Sequence, residues 1–155
     1  MEESGEFQML MGEYRHNLDE KKRLVIPSKF RSELGEEFII TRGLDKCLFV
    51  YPKDEWNKII SKLKTLPFTQ HDARNFIRLL LSGATVCEID QTGRISITSP
   101  LVEYAGITKE CVIIGVSDRL EIWAKESWDN FMNDNMDNFS EIAENLFKSG
   151  DYDAL

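Results

Sequence analysis

The chain has 155 residues, 42% of them hydrophobic, enough to bury a core in one compact domain or in two small, closely packed halves. No apolar run approaches the ~18 residues of a membrane span, and the opening Met-Glu-Glu-Ser-Gly-Glu lacks the basic-then-apolar order of a signal peptide, so a cytosolic protein is expected. A net charge of −8 argues against phosphate binding on average. The average conceals a division, however: between residues 14 and 31, Arg15, Lys21, Lys22, Arg23, Lys29 and Arg31 face only Asp19 and Glu20, a local +4, whereas the chain beyond Asp118 is predominantly acidic.

In chain order, residues 1–8 show no pattern and are set aside as an extension, disordered or vector-derived, with Met9 a candidate start. A short strand over 12–14 reaches Asp19, and a second over 23–26 alternates apolar and polar residues at period two. A helix over 28–34 follows, capped by Ser28 and closed by Gly35. Strands over 38–42 and 48–51 form a hairpin. Helical spacing of Trp56, Ile59, Ile60 and Leu63 predicts a helix over 53–66, and after Pro67 another over 72–81. The first order of elements then returns: strands over 85–89 and 94–97, a helix over 99–105 with a Ser99 cap and Pro100 at its first position, Gly106, and strands over 111–116 and 120–123. From Lys125 onward Trp128, Phe131, Ile142, Leu146 and Phe147 indicate helices with one apolar and one acidic face.

That return is an internal duplication. An offset of about 71 residues lays Leu18-Asp19-Glu20-Lys21-Lys22-Arg23-Leu24-Val25-Ile26 on Ile89-Asp90-Gln91-Thr92-Gly93-Arg94-Ile95-Ser96-Ile97. With one residue inserted, Gly43 falls on Gly115, Leu48 to Tyr51 on Leu120 to Trp123, and Trp56 on Trp128. The expected organisation is a first repeat at 9–56, linking helices at 57–83, a second repeat at 84–128 and an acidic helical region at 129–155.

Asp-x-x-x-Arg thus occurs twice, between strands. A carboxylate at one end and a guanidinium at the other can lock a turn through a bidentate contact. Inside the first turn Lys21 and Lys22 are point charges suited to phosphates. The second holds neutral Gln91, Thr92 and Gly93, so Asp90 and Arg94 read as a structural staple. Cys47, Cys87 and Cys111 stand singly in apolar stretches and read as buried free thiols. His16 and His71, the two histidines, lack metal-ligand spacing, no nucleophile–base constellation can be assembled, and neither metal, cofactor nor enzymatic activity is expected. The three tryptophans lie at apolar positions and read as core.

Met11-Gly12-Glu13-Tyr14-Arg15-His16-Asn17-Leu18-Asp19-Glu20-Lys21-Lys22-Arg23-Leu24-Val25-Ile26-Pro27 resembles the opening of MraZ proteins. Leu80-Leu81-Ser82-Gly83-Ala84, Ile89 through Ile95, and Val116-Ser117-Asp118-Arg119-Leu120-Glu121-Ile122-Trp123 continue the likeness, which spans 9 to about 147. The resemblance implies an α+β, barrel-rich fold of two AbrB-like swapped-hairpin half-barrels about a pseudo-two-fold axis, with peripheral helices. It also implies a ring-shaped homo-oligomer that binds double-stranded DNA at direct repeats upstream of the division and cell-wall gene cluster, its own promoter included, on the nucleoid. Two departures stand out: Lys22 replaces the Gly usual before the first Arg, and Thr98-Ser99-Pro100 and Val102 replace the second copy's Pro-Pro and a basic helix residue. The expected DNA edge is Arg15, Lys21, Lys22 and Arg23, supported by Lys29 and Arg31, with Arg23 or Arg15 reading bases and Asp19 fixing the turn. The competing reading is a non-catalytic protein-interaction module whose basic stretch is an ordinary solvated face.

Overall fold

A computed structural model describes residues 9–148. The extension at 1–8 and the end of the acidic region, 149–155, lie outside the described residues. The chain divides into two compact units, one ending at Ala124 and the other beginning at Lys125.

In the first unit, β1 (Leu10–Asn17), β2 (Arg23–Val25), α1 (Ser28–Leu34), β3 (Glu37–Arg42) and β4 (Leu48–Pro52) form the first copy. After α2 (Lys53–Leu63) and α3 (His71–Ser82), the order returns as β5 (Thr85–Glu88), β6 (Arg94–Ser96), α4 (Ser99–Ala105), β7 (Glu110–Ser117) and β8 (Leu120–Ala124). Six strands make one antiparallel sheet in the order β1-β7-β8-β4-β3-β5, and β2 and β6 make a separate two-stranded ribbon. Exchanging each strand for its counterpart in the other copy reverses that order onto itself, so the duplication read from the residues becomes a two-fold relation in the pairing. The first strand of each copy pairs with the other copy: β1 lies on β7, Tyr14 opposite Ile113, and β5 on β3, Cys87 opposite Phe38.

The expected barrel is not closed. Among the described residues the sheet is open, with β1 and β5 at its edges. The turns after β1 and β5 carry the chain out of the sheet into strands of three residues. Strands that short support one ladder, and β2 and β6 form it with each other, Leu24 opposite Ile95. The helix caps differ as well. Pro27 and Thr98 occupy the N-cap positions without a side-chain bond, and Ser28 and Ser99 are already helical. The Phe30 amide is taken by the Pro27 carbonyl at 2.9 Å, so no hydroxyl is required there. Gly35 and Gly106 end α1 and α4 at positive φ, as their positions in the sequence predict.

Between the ribbon, α1, α4 and the inner face of the sheet lies the core, with Leu24, Ile26, Phe30, Ile40, Leu48, Ile95, Leu101 and Ile113 all but inaccessible. Tyr14 meets Phe30 edge-on at 5.1 Å. On the other face of the sheet, α2 packs Trp56 against Tyr51 at 5.9 Å, and the Thr41 hydroxyl donates to the Leu80 carbonyl of α3. The three cysteines are buried free thiols, and burial raises Cys47 to about 12 and Cys87 and Cys111 to about 11, which keeps them protonated and unreactive. No helix among the described residues is long and apolar enough to cross a membrane.

The second unit comprises α5 (Lys125–Asn135), a 3-10 turn (Met136–Asn138) and α6 (Phe139–Lys148). Trp128 stacks on Phe131 at 5.1 Å, and Lys125 pairs with Asp129 at 2.8 Å.

Leu24 and Ile95 occupy equivalent places in the ribbon and are 0% and 1% exposed. Leu24→Ala and Ile95→Ala are each expected to lower stability by about 2–5 kcal/mol, with similar values for the two, measured by urea unfolding.

Candidate nucleic-acid interface

Each Asp-x-x-x-Arg turn is built the same way. The Asp19 amide donates to the Arg23 carbonyl at 2.9 Å and the Lys22 amide to the Asp19 carbonyl at 3.0 Å; Asp90, Arg94 and Gly93 repeat those bonds at the same distances. Asp19 Oδ1 accepts the Lys21 and Arg23 amides at 2.9 Å, and Oδ2 accepts Arg23 Nε at 2.8 Å. In the second turn Asp90 Oδ1 accepts the amides of Thr92 and Arg94 and the Thr92 hydroxyl, each at 2.9 Å, while Oδ2 accepts Arg94 Nε at 3.0 Å. The expected bidentate Asp–Arg contact is therefore replaced by a single side-chain bond, because the second carboxylate oxygen is taken up by turn amides. This leaves both terminal nitrogens of Arg23 without a hydrogen bond to any described residue, and able to approach an outside acceptor.

The amides explain the acidity of these carboxyls. The bond from the Arg94 amide, aided by Thr92 and the Arg94 side chain, holds Asp90 at about 2, well below its ordinary 3.8, and the Arg23 amide lowers Asp19 in the same way.

The two turns form one structure. The Ile26 amide donates to the Gly93 carbonyl and the Ile97 amide to the Lys22 carbonyl, both at 2.9 Å, and Arg94 Nη1 lies 3.9 Å from Asp19 Oδ2. Asp19, Arg23, Asp90 and Arg94 balance one another in charge. Glu20, Lys21 and Lys22 leave the first turn a net +1, and the two ammonium groups make no ion pair with a described residue.

Other expected contacts are distributed differently. Lys29, on α1, is exposed, and its Nζ reaches towards Gly12 on the Tyr14 side of β1. Arg15 projects from the opposite face of that strand and pairs with Glu13 at 3.1 Å, roughly 13 Å of strand from the turn. Arg31 is half-buried: its Nε donates to the Ile26 carbonyl at 2.8 Å, and its guanidinium lies over Gly93. A Cβ at position 93 would stand 2.2 Å from Arg31 Nη2, and the φ of +83° there already favours glycine.

Lys22, the counterpart of Gly93, holds φ +61° with a side chain attached. Its counterpart of Arg31 is Val102, which carries no guanidinium to reach over the turn. The first turn thus carries a cation where the second carries glycine, and Val102 stands where the other helix has Arg31. Sequence reasoning gave Arg31 to phosphate and missed this staple, which only the pairing of β2 with β6 creates. Also missed were Arg42, bonded to the Leu79 carbonyl and the Ser82 hydroxyl, and Arg119, held by Glu121 at 2.8 Å with its guanidinium 4.6 Å above the Phe49 ring.

Two β–turn–β units that exchange strands and interlock through acid-locked turns define a duplicated, AbrB-like regulator type. The family model described as "MraZ protein, putative antitoxin-like" matches the chain twice, over residues 9–79 and 80–150. The chain belongs to the MraZ family, whose members are regulatory and non-enzymatic.

Two outcomes are expected. Asp90 has a depressed folded pKa, so its contribution to stability is complete above its ordinary 3.8 and is lost as pH falls towards about 2. The urea midpoint of the wild type should exceed that of Asp90→Asn at pH 5, and the gap should close across that window. Lys22→Gly should raise stability by about 1 kcal/mol through relief of the left-handed backbone, read from the same titration at neutral pH.

Proposed function

We propose that the protein is a sequence-specific DNA-binding transcription regulator of the cytoplasm and nucleoid. It would bind direct repeats upstream of the division and cell-wall gene cluster, its own promoter among them, as a ring-shaped homo-oligomer. In this reading the repeats are residues 9–56 and 84–128, joined by the helices at 57–83 and followed by the acidic region at 129–155. The observation that supports it most is the first turn: a backbone fixed by Asp19, with the ammonium groups of Lys21 and Lys22 and the terminal nitrogens of Arg23 unpaired among the described residues.

Lys21 and Lys22 contact phosphates and set the position of the turn, while the terminal nitrogens of Arg23 offer paired donors to a guanine edge. Lys29 and Arg15 extend the contact along the backbone from the two faces of β1. Arg31 acts from behind, holding the second turn against the first. The second turn, neutral inside, serves as the mechanical partner. Two or three cations bind DNA weakly, so several copies engaging spaced repeats would supply affinity through effective concentration. The net charge of −6 over residues 125–155 keeps that part of the chain from the phosphates.

Fluorescence anisotropy with the upstream DNA across a salt series tests the reading. Arg23→Ala should abolish the preference for the repeats over scrambled DNA, a loss of about 1–3 kcal/mol per contact. Lys21→Ala should weaken binding to all sequences alike and flatten the salt slope by about 1. Arg94→Ala, with the fold intact, should change specificity little. A wild-type oligomer with no salt-sensitive binding to either DNA would instead favour the protein-interaction module.

A further inference from the structure

The two edges of the sheet meet solvent differently. At the offset of 71, Arg15 of β1 falls on Val86 of β5, and Glu13 on Ala84. The charged pair that β1 presents is therefore missing from β5, where Val86 is 60% exposed. Charged side chains on an edge strand keep other strands from adding to it, and an exposed valine gives no such protection. One side of β5 is paired with β3; on the other, residues 85–88 make no hydrogen bond to a described residue. Along that free side lies a cleft of about 290 Å³ towards β6, lined by Val86 together with Ser96 and Thr98.

The charge beside this edge is one-sided. Val86 and Glu88 share the face of the sheet opposite to Cys87, with Ile39 and Glu37 as their partners on β3. Glu37 and Glu88 are like charges set directly across a ladder, which destabilises the pair. They open on a hollow of about 970 Å³ lined by five carboxylates against Arg31 and Lys53, a net −3. Lys53 reaches Glu37 at 3.6 Å and Arg31 Nε is committed to the Ile26 carbonyl, while Glu88 makes no ion pair with a described residue.

We propose that β5 takes an added strand from another protein, an extended segment with Lys or Arg two residues before an apolar side chain. Laid antiparallel, the segment hydrogen-bonds through its main chain to the free side of β5. Its apolar residue then covers Val86, and its cation stands across from Glu88 and offsets the repulsion from Glu37. Main-chain bonds supply the affinity; the two side chains select the partner. Because β1 and its cations lie at the other edge of the sheet, this contact is separate from the proposed DNA contact, and either can fail alone.

The test uses fluorescein-labelled Lys-Thr-Lys-Thr-Val-Thr, titrated with the full chain and followed by anisotropy. The peptide should bind, and amide hydrogen exchange over 85–88 should slow in its presence. Two versions methylated on alternate backbone nitrogens separate strand addition from simple charge attraction. Only one set of amides faces β5, so one version should lose binding and the other keep it. Val86→Arg, which copies the β1 edge, and Glu88→Lys should each weaken binding about fivefold or more. Both side chains are exposed, so circular dichroism should show an intact fold. A wild type that does not bind the peptide, equal effects of the two methylation patterns, or undiminished binding by both variants would overturn the proposal.

Discussion

A strand of three residues has too few hydrogen bonds to persist alone, and both copies of this unit contain one. Arg23–Val25 and Arg94–Ser96 persist because each completes the other, with the Ile26 and Ile97 amides extending the ladder into the opposing turns. That interlock buries Leu24 against Ile95 beneath α1 and α4 and forces the two Asp-x-x-x-Arg turns side by side. Exchange of β1 and β5 between the copies repeats the constraint at the edges of the sheet. Neither copy satisfies its backbone or its apolar face without the other, so the fold needs two copies.

The two adjacent turns differ in a matched way. Gly93 lies under the Arg31 guanidinium, which a side chain at that position would displace. Where the matching helix carries Val102, the matching turn residue is Lys22, which accepts a left-handed backbone and gains a charge. One turn lies under an arginine and the other carries the extra cation. Asp19 and Asp90 serve both alike, since their task is to gather turn amides and orient one guanidinium. The carboxylates stay ionised well below neutral pH for the same reason, so the turns keep their shape across the physiological range.

Charge is distributed between the units as well as within the turns. The basic excess lies on the first turn and on the helical segment from 53 to 82, and the acidic excess lies beyond Ala124. An average of −8 conceals all of this. Charge separation of this kind gives one chain surfaces of opposite sign.

Much of this was legible in the residues. The offset of about 71 exposed the duplication, the alternation and helical spacing placed nearly every element, and the Asp-x-x-x-Arg spacing identified both turns, because these are local regularities of period and chemistry. Cap assignments failed at Ser28 and Ser99 because each helix starts one residue earlier, at Pro27 and Thr98, and at the first the Pro27 carbonyl takes the amide a hydroxyl would have taken. The open sheet, the strand exchange, the second oxygen of each carboxylate and the Arg31–Gly93 staple could not be read in advance. Each depends on residues tens of positions apart being brought within a few ångströms, and no local pattern encodes that distance. The sequence by itself determined what each segment is and which charges it carries; the tertiary structure alone decided which segments complete one another, because a backbone amide or an arginine takes whatever acceptor the packing brings to it.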